Sequence, residues 1–106
     1  MKSAFRKEKV MSSTKFSVFA ERTFDLVENG IRRELRLRVG TPKARESDWA
    51  CQVQVVGLQD DHIFEIFGID SLQALQLAVK FIGILLKAKQ DDGAQITWLG
   101  ETDLGL

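Results

Sequence analysis

The sequence predicts an α+β fold: an antiparallel sheet of two hairpins, four strands in all, with one long helix packed on it and a short C-terminal strand. Three observations carry this. Residues 16–28 and 31–39 alternate apolar and polar on either side of Asn29-Gly30, a dipeptide that tolerates the positive φ values of a two-residue hairpin turn. A second pair of strand-like runs, 49–58 and 62–69, flanks Gln59-Asp60-Asp61. Residues 71–90 then switch to a helical period.

Placing Asn29 and Gly30 in the loop sets the first register. Glu28 faces Ile31, Leu26 faces Arg33, Phe24 faces Leu35 and Arg22 faces Leu37. Side chains alternate between sheet faces, so Val18, Phe24, Leu26, Ile31, Leu35, Leu37 and Val39 form the expected core face. Phe19, Glu21, Thr23, Asp25 and Val27 lie on the other, opposite Arg32, Glu34, Arg36 and Arg38. Gly40-Thr41-Pro42 ends the strand, and the polar run 43–48 reads as a loop. In the third strand Trp49, Cys51, Val53 and Val55 share a face. The fourth is apolar on both faces, Ile63, Phe67 and Ile69 against Phe64 and Ile66, and alternation alone leaves its inward face open.

The helix has one narrow polar stripe: Gln73, Gln76, Lys80, Gly83, Lys87 and Gln90. One apolar stripe holds Leu72, Leu75, Val79, Ile82 and Leu86; another holds Ala74, Leu77, Phe81, Ile84 and Ala88. That arc is wider than one sheet face covers. Asp91-Asp92-Gly93 stops the helix, and "QITWLG" reads as a strand ending near Leu99. The expected organisation is a disordered N-terminal extension over 1–14, one domain over 15–100 and a frayed end over 101–106.

At 106 residues, 44% hydrophobic and 28% charged, the chain has the composition of a single globular domain. Zero net charge disfavours DNA or an anionic membrane as dominant partner. One cysteine cannot form an internal disulfide, and Cys51 sits in an apolar strand. A buried thiol in a reducing, cytoplasmic compartment is the expectation. No stretch approaches 18 apolar residues, so neither a signal peptide nor a membrane span is expected.

"FGIDSLQALQL", from Phe67 to Leu77, resembles the attachment motif of acyl and peptidyl carrier proteins at Gly68, Asp70, Ser71 and Leu72. In that family a serine at a helix start takes a phosphopantetheine arm. The remainder departs from it: hairpins precede the motif where carriers have a helix, and too few residues follow for two further helices. Asp70 or Ser71 as helix cap explains the same letters, and the carrier match is read as coincidental. As a whole the chain resembles a family of small, uncharacterised bacterial proteins carrying a domain of unknown function. The resemblance runs through "RELRLRVG", "DWACQVQVVGL", "FGIDSLQALQLAVKFI" and "WLG", spanning most of residues 20 to 100. It implies the architecture and no activity.

Candidate chemistry is sparse. His62 follows Asp60 and Asp61, a trio that suits a metal or a general base. Consecutive aspartates in a turn also serve the local backbone, and no second histidine exists. Arg32, Arg36 and Arg38 share a face with Glu21, Asp25 and Glu34, so cross-strand ion pairs are expected there rather than a nucleic-acid surface. Arg22 and Arg33 fall on the core face, where they must snorkel or hold an anion. Arg22, Arg33, Arg36, Arg38 and His62 are therefore the candidate ligand contacts. No catalytic residue, metal site or cofactor is expected, and the reading leans away from an enzyme. The surplus apolar helix face points to a non-enzymatic interaction module, a homodimer, with Ala74, Leu77, Phe81 and Ile84 at the interface. The alternatives are a partner-binding regulator of the immunity or antitoxin kind, and a small-anion or ligand binder.

Overall fold

In a computed structural model of the chain, residues 16–58 and 61–106 are described in full and residues 5–7 as backbone. The elements are β1 (Phe5–Lys7), β2 (Val18–Glu28), β3 (Ile31–Gly40), β4 (Lys43–Ala44), β5 (Trp49–Val56), β6 (Ile63–Gly68), α1 (Ser71–Asp91) and β7 (Gln95–Thr97). The expected α+β class holds. Of the stretch 1–14, only Phe5–Lys7 fall among the described residues, pairing with β6 so that Arg6 stands opposite Glu65. The rest of that expectation, and the turn at Gln59-Asp60, lie outside the described residues.

Asn29 and Gly30 take φ values of 52° and 75°, the left-handed pair that a type I′ turn requires. The register follows as expected, with Glu28 opposite Ile31, Leu26 opposite Arg33, Phe24 opposite Leu35 and Arg22 opposite Leu37. All pairings are antiparallel, in the order β1-β6-β5-β3-β2-β7, with β4 also paired to β5. The two hairpins join where β3 meets β5, Leu37 facing Val55 and Val39 facing Val53. The expected 43–48 loop contributes the two-residue β4, against Trp49 and Ala50.

α1 packs chiefly on β5 and β6. Phe24, Leu26, Leu35, Leu37, Cys51, Val53 and Ile66 form the sheet side of the core. One expected core residue is corrected: Ile31 is 66% exposed, because it sits at the tip of the long β2–β3 hairpin, away from the helix.

The junction "FGIDSLQ" is built for close approach. A Cβ on Gly68 would lie 2.4 Å from the Ala74 amide nitrogen, so strand end and first helical turn touch backbone to backbone. Asp70 is the N-cap, its carboxylate accepting from the Gln73 amide at 2.8 Å. Gln73 reaches back, its Oε1 accepting from the Ile69 amide at 2.7 Å, in the manner of a capping box. Ser71 is simply an exposed first-turn residue.

Close approach also decides which helix residues face the sheet. The buried stripe is Ala74, Ala78, Ile82 and Leu86, which takes Ile82 and Leu86 from one expected apolar stripe and Ala74 from the other. Small alanines occupy the tightest contact, and Leu75, Val79, Phe81 and Leu85 flank it half-buried. Ala74 is therefore corrected from interface to core: it is 0% exposed, pressed under Gly68.

Candidate interaction surface

The five polar candidates do not converge. Arg36 and Arg38 share the helix-free sheet face. Arg38 lies 3.6 Å from Glu21 across the hairpin, and Arg36 lies 4.0 Å from Glu34 along its own strand. Arg38 also donates to Gln54 Oε1 at 3.3 Å and stands 5.1 Å over the Phe16 ring. Arg32 is exposed beside them. Arg33, at the hairpin tip, pairs with Glu28 at 2.9 Å, so its core-face register costs no burial.

His62 packs edge-on to Phe64, with centroids 5.9 Å apart. Neighbouring Asp61 reaches back to the end of β5: its carboxylate accepts from the Gly57 amide at 3.2 Å, and its carbonyl accepts from Gln54 Nε2. Among the described residues no group of three or more His, Cys, Asp or Glu converges as for a metal. Cys51 is fully buried; burial pushes its thiol up to about 11, and its Sγ–H points to the Gly40 carbonyl at 3.3 Å. A protonated, enclosed thiol is no nucleophile.

Arg22 has a different task. Its guanidinium stacks 3.7 Å above the Trp98 ring. Its Nη1 donates to the Leu104 carbonyl at 2.9 Å and to the Gly105 carbonyl at 3.3 Å. One face of the guanidinium is thus covered by Trp98 and its Nη1 engaged by the C-terminal segment. Gly105 has a φ of 71°, and a Cβ there would fall 2.8 Å from the Trp98 ring. Leu104 is buried at 8% exposure, and Gln90 Nε2 donates to the carbonyls of Ile96 and Thr102. Residues 101–106, for which fraying is the sequence expectation, are tied at several points to β2 and α1.

Sequence reasoning missed Glu65. It is a carboxylate at 0% exposure, on the β6 face shared with Ile63 and Phe67 and turned away from α1, and it pairs with Arg45 from the β4–β5 loop. One charge inside "HIFEIFGI" was the available signal, since a buried carboxylate demands a cation. Arg45 and Glu65, paired with each other, line a small cleft of about 320 Å³ together with Lys43.

The larger feature is apolar. Leu72, Leu77 and Ile84 on α1 are 59%, 36% and 63% exposed. Phe81, the fourth expected interface residue, is half-buried against Phe64, with centroids 5.0 Å apart. By length and composition α1 is apolar enough to cross a membrane, yet only 22% of its most apolar window is buried. Alongside it, between α1 and the C-terminal segment, runs an open groove of about 1460 Å³. Leu75, Val79, Ile84, Ile96, Leu104 and Leu106 supply its apolar lining; Lys80 and Lys87 rise from the helix wall, Asp103 from the other.

Comparison with known proteins gives one match. Residues 20–106 fit the family model described as a domain of unknown function, DUF6968. No curated protein matches, and no solved structure matches.

Proposed function

We propose, for a chain that belongs to the DUF6968 family of domains of unknown function, a non-enzymatic role as a protein-interaction module that pairs with a second copy of itself through the outer side of α1. The observation that carries this reading is the burial of α1. A 21-residue helix seats only Ala74, Ala78, Ile82 and Leu86 in the core, leaving Leu77 and Ile84 in water beside an apolar groove. Apolar area of that extent favours association. The reading assigns the face to protein rather than membrane because Gln73, Gln76, Lys80 and Lys87 are all exposed along the helix, a polar row that a lipid interior would penalise. It places the module in the cytoplasm on the strength of the free, buried Cys51.

The same surface serves the second reading, a regulator that covers it with a different chain. A small ligand fits less well. The groove, about 1460 Å³, exceeds the roughly 300–1,000 Å³ of small-molecule pockets, and Arg22, Arg36 and Arg38 are occupied within the chain.

The test is molar mass by light scattering. The expected value is twice 12.0 kDa for the wild type, falling to one copy for Leu77→Asp/Ile84→Asp with an unchanged circular dichroism spectrum. A wild type that stays monomeric at high micromolar concentration removes the homodimer and leaves the foreign partner.

A further inference from the structure

We infer that the groove beside α1 receives α1 of the second copy, laid antiparallel across a twofold axis near Gly83, so that Lys80 of each copy meets the partner's Asp103. This rests on the homodimer reading above and names its geometry.

Shape comes first. The groove residues on α1 run from Leu75 to Asp91, about 24 Å at 1.5 Å per residue. An open trough of that length suits a helix laid in a groove. Gly83 lies at the midpoint of that run. A glycine inside a helix costs about 0.5–1 kcal/mol relative to alanine. Here its missing side chain lets Leu106 approach, since a Cβ would come 3.3 Å from Leu106 Cβ. A helix crossing at that point would rest on Ile84 and Leu106, which are 63% and 41% exposed.

Charge selects the occupant. Among the described residues Lys80 has no anionic partner, whereas Lys87 pairs with Asp91 at 2.9 Å. On the opposite wall Asp103 accepts only from the Gly105 amide, at 2.9 Å, and meets no cation among the described residues. Both residues line the groove, which thus carries one cation and one anion with no partner of opposite charge among the described residues. An acidic partner would satisfy Lys80 and oppose Asp103; a basic one would do the reverse. A twofold copy satisfies both, because each surface element meets its complement twice in an isologous contact. Zero net charge on the chain leaves no general repulsion between copies.

The test is reciprocal charge reversal. In Lys80→Asp alone, two carboxylate pairs oppose each other; in Asp103→Lys alone, two ammonium pairs do. Each single variant is expected to dimerise ~100-fold or more weakly than wild type. An equimolar mixture of the two restores both ion pairs and is expected to recover the wild-type dimer, read by light scattering and native mass spectrometry. Asp103→Asn keeps the acceptor for the Gly105 amide but removes the charge. It should weaken the dimer while the melting temperature, compared at concentrations dilute enough to keep both proteins monomeric, stays unchanged, separating charge pairing from loosening of the C-terminal segment. A dimeric wild type whose variants stay dimeric, or whose mixture stays monomeric, overturns this arrangement and leaves the homodimer reading standing. A monomeric wild type overturns both.

Discussion

Replacing Gly68 by alanine tests the close seating of helix on sheet. The added Cβ would stand 2.4 Å from the Ala74 nitrogen, 2.8 Å from Ala74 Cα and 2.9 Å from the Gln73 carbonyl carbon. All three are backbone atoms, so no rotamer change relieves the contact. Restoring even a tight 3.4 Å separation means moving the first turn of α1 by about 1 Å. That shift unseats Ala74 and strains the Asp70–Gln73 cap. Overpacking of this kind costs about 1–3 kcal/mol and loss of a cap about 1 kcal/mol. The smaller entropy of the unfolded alanine chain returns about 0.4–1 kcal/mol, leaving a net loss of about 2 kcal/mol. With a urea slope of about 2 kcal/mol/M, the unfolding midpoint should fall by about 1 M at unchanged slope. Gly83→Ala is the control. Its Cβ meets only Leu106, the side chain at 3.3 Å and the carbonyl carbon at an ordinary 3.8 Å, and a helix interior favours alanine by about 1 kcal/mol, so its midpoint should hold or rise. Both are measured at a concentration dilute enough to keep the protein monomeric, because dimerisation adds apparent stability and Gly83 lies at the inferred twofold axis. A Gly68→Ala midpoint equal to wild type would refute the close-approach argument.

Two further outcomes follow from the same structure. Arg22→Ala should cost about 2 kcal/mol, since it removes a charged donor from two carbonyls and a stack on Trp98. Hydrogen exchange should accelerate over residues 101–106 and not in β5, and Arg22→Lys should recover only part of the loss because an ammonium lacks the planar fork. Cys51, with its thiol raised from 9.0 to about 11, should resist alkylation at pH 8 in the native state and react at the rate of opening when urea is added. Its proton is held more tightly folded than unfolded, so this group stabilises the fold fully below pH 9. That contribution is lost as pH rises from 9 through 11; a denaturation midpoint that climbs across that window would contradict the buried thiol.

Much of this molecule is legible locally. The Asn29-Gly30 turn sets nine residues of strand register on each side by itself, from Glu28 opposite Ile31 to Ala20 opposite Val39, because a two-residue loop admits one pairing; beyond Ala20 the register shifts and Val18 pairs with Gly40. The Asp70 cap and the ion pairs of the helix-free face follow from neighbours close in sequence or directly opposite across that hairpin. The candidate surface was visible in outline as a helix more apolar than one sheet face can cover, and Leu77 and Ile84 do lie exposed on it.

What tertiary structure decided lies where contacts are long in sequence. Arg22 looks from its register like a charge stranded on a core face; only the return of the chain some eighty residues later shows its guanidinium engaged by Leu104 and Gly105. Glu65 stood in plain view, yet its burial and its pairing with Arg45 depend on where the β4–β5 loop is carried. The sequence places Ile82 and Leu86 on one apolar stripe and Ala74 on another; that Ala74 joins them in the core is set by how near Gly68 lets two backbones come. Alternation and turn chemistry act through bonds between near neighbours and are therefore encoded in a short window. Packing distance, charge pairing across the fold and the groove between α1 and the C-terminal segment exist only once distant segments share the same space.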